Sequence, residues 1–317
     1  MKLGEIYDLV IKHGLEKDPR TKKELNERMR KIRREYKSLK GADKKCFDRE
    51  SLRHPFSDTR ILYGDPDGEV RTVMVGVDVG GEELLTAYML NEKGLGVDLA
   101  MSHHPSGRPL AELYNVMHVQ TEILGHIGIE KKVAELLMKD RIEEVTRRFL
   151  PVNHQRSVDT ARLLNIPFMC VHTPADNHVT RFLQSMFDRK KPRKVKDVLA
   201  LLKTIPEYRD GMQKGAGPRL IAGKEENTTG RILVDMTGGT EGSKRVFSRL
   251  SQAGIKTIVA MHLGEEHYKN ARAEFMNVVI AGHIASDNIG LNLILDEVTK
   301  NRGVNIIPCS GFTRVKR

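Results

Sequence analysis

The chain has 317 residues, with 53 Lys and Arg against 42 Asp and Glu and a formal net charge of +11. That length suits one large or two ordinary domains with a sizeable core. No run of 18 apolar residues and no basic–apolar–small leader occurs, which excludes a helical membrane span and leads us to expect an unexported, cytoplasmic protein. Cys46, Cys170 and Cys309 are too few and too irregularly spaced for a disulfide framework or a thiolate zinc site.

Residues 1–56 hold 17 Lys and Arg against 10 Asp and Glu, most of the excess charge. Within them Thr21–Lys40 interleaves both signs at helical spacing, as a solvated helix does. We therefore expect a basic helical N-terminal extension over 1–56. The chain lacks Trp and is 5% aromatic, so it has few platforms for stacking on single strands, and nucleic acid is not expected as its main partner.

Further along, Thr72–Asp78 (TVMVGVD) predicts a buried strand, Glu82–Lys93 a helix and Val97–Ser102 a second strand. Residues 108–166 read as mostly helical, broken at Pro151, and Ile166–His172 as a strand. The basic stretch Arg189–Lys196, interrupted by Pro192, reads as a linker. Short strands follow at Ile232–Asp235, Lys256–His262 and Asn277–His283, with helices at about 243–253, 267–275 and 288–301. Such alternation is that of an α/β protein. A weak internal repeat runs through it, with Gly80-Gly81 matching Gly238-Gly239 and Ala100-Met101 matching Ala260-Met261. Two βαβ units of one design would make two lobes, each presenting strand C-termini to a cleft, where open α/β sheets bind ligands.

Three apolar strands end in ligand-type residues: His103-His104, Cys170-Val-His172-Thr-Pro-Ala-Asp176, and Gly282-His283-Ile-Ala-Ser-Asp287. Two adjacent histidines on a strand point to opposite faces, so one at least needs a polar partner, and a metal would satisfy both. Imidazole and carboxylate without thiolate select a divalent ion such as Zn, Fe, Mn, Co or Mg. The set suits an open site that keeps water, and it exceeds what one tetrahedral ion needs, so two ions sharing a carboxylate are expected.

The segments GVDVGGEELLTAYMLNEKGLGVDLAMSHHPSG, CVHTPADNHV and VVIAGHIASDNIG, in this order, resemble the Nif-three-like family, also known as the type-two GTP cyclohydrolase I family. The resemblance covers roughly residues 57–310. It implies that the HHP pair, the Asp of an HTxxD motif and the His and acid of a GHxxxE motif bind two divalent ions. Carried over residue by residue, these are His103, His104, Asp176, His283 and Asp287. His172 would sit beside them as a neighbour or further ligand. The resemblance also implies two linked α/β lobes with the metals between them, a first lobe over 57–190, a linker and second lobe over 191–317, and a toroidal homohexamer. Two departures stand out: the last acid is Asp287 where the family has Glu, and a helical insertion lies near 108–155.

Inside that insertion His118, Glu122 and His126 share a helix face, which reads as a third metal contact, a lid, or a solvated stripe. Gly238–Lys244 (GGTEGSK) lacks phosphate-loop spacing and reads as a tight turn. Asp78 and Asp235 read as turn organisers. The function expected is that of a metal-dependent hydrolase, acting on a ring C–N bond or a phosphoester, with Glu266, His172 or His267 as general base. The alternatives are a metal-delivery protein using the same ligands and a partner-binding scaffold using the N-terminal helix.

Overall fold

The computed structural model describes residues 1–300 and 303–317. Helices α1 (Leu3–Glu16), α2 (Lys22–Ser38) and α3 (Gly41–Cys46) lead into β1 (Arg60–Tyr63) and β2 (Thr72–Gly76). Helix α4 (Gly81–Glu92) connects to β3 (Leu99–Ser102). Helices α5 (Arg108–Ala111), α6 (His118–His126), α7 (Lys131–Phe149) and α8 (Arg156–Leu164) precede β4 (Phe168–Cys170). Next come α9 (Thr173–Lys190), α10 (Val195–Leu202), α11 (Pro206–Gln213), β5 (Arg219–Ala222) and β6 (Arg231–Asp235). The chain continues through α12 (Phe247–Gln252), β7 (Ile255–Ala260), α13 (Glu265–Ala273), β8 (Asn277–Ile280), α14 (His283–Thr299) and β9 (Asn305–Pro308). The predicted end of the last helix at 301 lies outside the described residues.

Two sheets result, in the orders β1-β4-β3-β2-β9 and β5-β8-β7-β6. Each has parallel strands and one antiparallel edge, β1 on β4 and β5 on β8. The parallel strands formed where the sequence offered short apolar runs, as strands covered on both faces do. The repeat is present, with a one-residue correction. Met101 pairs with Met169 in the first sheet and Ala260 with Ile280 in the second. Counted from these paired positions, the spacing of His172 and Asp176 from Met169 repeats that of His283 and Asp287 from Ile280. By that register Ala260 is the counterpart of Met101, and His262 that of His103.

The helices after β4 and β8 cross between lobes. Val179, Leu183 and Met186 of α9 pack with Val234, Val259 and Val279 of the second sheet. Leu291, Ile294 and Leu295 of α14 pack with Val73, Val75 and Leu99 of the first. Each lobe is thus covered by the helix that leaves the other, and α9 and α14 meet between them. Their contact is close enough to require Gly290, where a Cβ would lie 2.4 Å from the Ala175 carbonyl oxygen.

Three boundaries differ from the sequence expectation. The insertion, read as part of the first lobe, covers the second: Met117, Leu124 and Met138 pack with Phe247, Leu250 and Ile258. The C-terminal segment, read as second lobe, returns β9 to the first sheet beside β2, because Asn305–Pro308 completes the edge that β2 leaves open. The N-terminal segment is not a detached extension. The apolar face of α1 (Leu3, Ile6, Tyr7 and Val10) lies in the first lobe's core with Phe56, Met101 and Leu295, while α2 contributes only Met29 and Ile32 to buried surface. Ile6→Ala is expected to destabilise the protein by about 2–4 kcal/mol, read from the urea unfolding midpoint.

A buried hydrogen-bond chain joins α1 to this lobe. His54 Nδ1 accepts from the Phe56 N–H (3.2 Å), so Nε2 carries the proton and donates to Tyr7 Oη (2.7 Å), whose hydroxyl donates to the Thr59 carbonyl (3.2 Å). Burial, with Arg60 and Arg53 nearby, pushes the His54 pKa well below its usual value. Unfolding releases this histidine to titrate near its ordinary value of about 6.5, so stability is unaffected above that pH and falls below it. Urea unfolding at about pH 7 and about pH 5 should show the loss, on the order of 1.4 kcal/mol per pH unit, reduced in His54→Gln.

Candidate metal centre

The strand ends deliver their side chains to one point. β3 ends before His103 and His104, β4 runs into His172 at the start of α9, and β8 runs into His283 at the start of α14. One helical turn on, Asp176 and Asp287 stand on the same faces as His172 and His283. The turn into α14 needs Gly282, whose φ is +111° and where a Cβ would meet the Ala216 carbonyl oxygen at 2.7 Å.

Asp287 is the centre of the group. Its Oδ1 lies 3.5 Å from His103 Nε2, and its Oδ2 lies 3.5 Å from both His104 Nε2 and His283 Nε2. Asp176 Oδ1 is 3.4 Å from His103 Nε2, and Asp176 Oδ2 is 3.9 Å from His172 Nε2. Three overlapping triads result, namely His103–His104–His172, His104–His283–Asp287 and His103–Asp176–Asp287, each with donor atoms within 4.8 Å of one another. The structure therefore gathers His103, His104, His172, Asp176, His283 and Asp287 in one cluster.

Outer groups fix the ring orientations. His103 Nδ1 donates to the Val171 carbonyl (3.0 Å), His104 Nδ1 to Asp78 (2.7 Å) and His172 Nδ1 to Asp58 (2.9 Å). With Nδ1 protonated in each, the Nε2 lone pairs are left to face the cluster, an arrangement typical of metal-ligating histidines. Asp58 also accepts from the N–H and hydroxyl of Thr173, which ties the start of α9 to the segment before β1.

Burial, followed by the nearby Asp176, pushes the Asp287 pKa well above the carboxylate range. Both Asp287 oxygens are buried without a hydrogen-bond partner among the described residues. Burial also lowers His103 to about 4 and His283 to about 3. At His172, burial acts in the same direction but is outweighed by Asp176, Asp58 and Asp287, which raise it to about 9. A buried carboxyl group with two unpartnered oxygens, each within 3.5 Å of imidazole Nε2 atoms of His103, His104 or His283, is a donor set that a divalent cation fits.

No family model and no curated protein sequence matches the chain. Its fold is similar to the crystal structure of the NIF3 superfamily protein from Sphaerobacter thermophilus, with a TM-score of 0.68 and 26% identity, over 80% of this chain and 91% of that one. The chain has the Nif-three-like fold. Reduced HcgD from Methanocaldococcus jannaschii is similar at 15% identity and a TM-score of 0.46, over 78% of this chain and 87% of that one. TTHA1606 from Thermus thermophilus is similar at 16% identity and a TM-score of 0.45, over 79% and 86%.

In this chain the cluster opens on a cleft with a volume of about 80 Å³. Phe247, Leu250 and Ile258 give it an apolar wall, and Asp235, Glu241 and His262 a polar one. The loop Gly238–Lys244 is the predicted tight turn, with φ of +99° at Gly238 and +85° at Gly239 and Gln120 donating to the Gly238 and Thr240 carbonyls. His267 reaches the cleft with Nε2 bonded to the Gly242 carbonyl.

Two predicted groups are not brought there. Glu266 stands on the exposed first turn of α13, paired with Lys244, a position explained by the preference of carboxylates for helix N-termini. His118, Glu122 and His126 face α2 instead, with His126 bonded to Glu24 at 2.9 Å. Conversely, sequence reasoning missed Asp58, Glu241 and His262 and gave Asp78 and Asp235 only turn roles. The repeat, read in the corrected register, could have found His262; nothing local marks Asp58.

Proposed function

We propose that the protein holds two divalent cations between its lobes and is a cytoplasmic metal-dependent hydrolase. The observation that carries this reading is Asp287, whose two buried, unpartnered oxygens address different histidines. His103, Asp176 and Asp287 would hold one ion, with His172 beside it, and His104, His283 and Asp287 the other. Asp in place of Glu is then no obstacle to bridging, because α14 starts close enough for the shorter side chain to reach both groups. Divalent cations held there would supply Lewis acidity and activate water for hydrolysis.

The chain's own residues supply the remainder. Val171, Asp78 and Asp58 hold the imidazoles in one tautomer, and the apolar wall of the cleft excludes water from a bound substrate. Of the three acid–base candidates expected from sequence, His172 is retained, held by Asp58 beside the cluster, while His267 lines the cleft with Nε2 engaged by the Gly242 carbonyl. Glu266 is not in reach. The adjoining cleft, with its apolar and polar walls, supports hydrolysis over metal delivery, since delivery needs no place for a substrate beside the ions. Purified protein loaded with Mn or Zn should hydrolyse members of a screen of cyclic amides and phosphoesters, and His172→Asn should lower kcat by about 100-fold or more. A flat screen on fully loaded protein would favour delivery.

Among the described residues no helix is long and apolar enough to cross a membrane. The homohexamer implied by the family likeness remains the assembly we propose. Leu85 and Met89 on α4 and Leu163 on the neighbouring α8 leave apolar surface for it. Light scattering should give six times the chain mass of 35.8 kDa.

A further inference from the structure

The cleft beside the metal-ligand cluster has its own uncommitted chemistry. Asp235, at the C-terminal end of β6, reaches the cleft's free space with its carboxylate and makes no hydrogen bond or ion pair among the described residues. The residue is exposed to the cleft, and partial desolvation by its surroundings pushes its pKa up.

The Thr237 hydroxyl and the ring nitrogen donors around it are already committed. Thr237 Oγ1 donates to Asn177 (2.7 Å) and His267 Nε2 to the Gly242 carbonyl (3.0 Å). His262 Nδ1 meets Glu241 Oε1 at 3.1 Å. The hydrogen bond from His262 holds the Glu241 carboxyl down at about 2, so Glu241 is ionised and can only accept. That fixes the His262 proton on Nδ1 and leaves Nε2 as an acceptor without a partner. Its ring lies 4.9 Å from that of His283, so this wall adjoins the metal-ligand cluster. The hydroxyls of Thr240 and Ser243 can serve either way. Opposite stand Val246, Phe247 and Leu250.

We propose that this cleft binds a protonated amine or amidine carried on a small apolar or aromatic body, with Asp235 as its counter-charge and His262 Nε2 as a second acceptor. The proposal names a substrate class for the site above and in that sense rests on the hydrolase reading. A ligand that brings donors and positive charge gives the bare carboxylate the partner it lacks, while its apolar body lies on Phe247 and Leu250. Among the candidate residues of this wall, Asp235 sets charge preference and His262 sets orientation.

Titration calorimetry with benzylamine and its neutral isostere benzyl alcohol tests this on the protein as purified. Benzylamine should bind wild type with a millimolar or better Kd, and benzyl alcohol about ten-fold more weakly, as expected for one ion pair in a shielded cleft. Asp235→Asn should weaken benzylamine by about ten-fold and leave benzyl alcohol unchanged. In His103→Ala/His104→Ala benzylamine binding should persist, while elemental analysis of the same variant tests the metal reading separately. Equal binding of the two probes to wild type, no effect of Asp235→Asn, or no benzylamine binding would each overturn the proposal. Loss of benzylamine binding in the double variant would place the amine on the metals themselves and overturn it as well.

Discussion

Asp287→Asn is expected to abolish retention of divalent metal, and in metal-free protein to raise stability above wild type. Both effects follow from one carboxylate. In the loaded protein Asp287 would be the one residue shared by both ions, so its loss dismantles two sites rather than trimming one. Cation binding to the native state alone stabilises it by about 4 kcal/mol at a thousand-fold excess over Kd, and the variant forgoes that gain. Without metal the sign reverses. The Asp287 pKa is raised well above the carboxylate range by burial and by Asp176. Such a group contributes stability below its unfolded pKa, near 3.9, and loses it as pH rises toward its folded value. Thermal melts at about pH 8 should therefore order as loaded wild type, then Asp287→Asn, then chelator-treated wild type. Equal metal content in the variant and wild type would remove Asp287 from the site.

Gly290→Ala is the second large effect. Alanine is ordinarily the better helix residue by about 1 kcal/mol. Here the added methyl would lie 2.4 Å from the Ala175 carbonyl oxygen and 2.8 Å from its carbon, both backbone atoms of the crossing helix α9. The helices must separate, at a cost of about 2–3 kcal/mol. Since Asp176 and Asp287 flank this crossing, metal affinity should fall with stability. Gly125→Ala supplies the contrast, because its position on α6 is open, with nothing within 4 Å of a new Cβ. That substitution should be neutral or stabilise by up to about 1 kcal/mol. Urea midpoints of the two variants, with metal content alongside, decide the matter.

The fold was legible where burial leaves a local trace. β2, β3, β6, β7 and β8 are short apolar runs because helices cover them, and α4 and α13 carry helical periodicity. The edge strands β1, β5 and β9 (RILY, RLIA and NIIP) have no such signature, since they form by pairing with strands far away in sequence. The same cause hid the exchange of α9 and α14: nothing in the apolar pattern of a helix says whose sheet it covers. At the site, the clustered residues were legible because each follows an apolar strand directly. Asp58 and Asp78 were not, because a carboxylate that orients an imidazole owes its role to a partner 114 or 26 residues away. Glu266 shows the opposite error, in which closeness to a strand end suggested a role that solvent exposure and Lys244 deny.

The exchange of α9 and α14 also bears on how the chain can be made. Thr72 of β2 waits for Asn305 before its edge is paired, and the sheet under Val73 and Leu99 waits for Leu291 and Leu295 before it is covered. At about 5–20 residues per second, a ribosome takes roughly 10–50 s to supply those partners. During that interval the first half of the polypeptide carries an open sheet and half of a metal-ligand set. Synthesis of α14 and β9, rather than completion of the first lobe's own strands, is the moment at which this fold can first close.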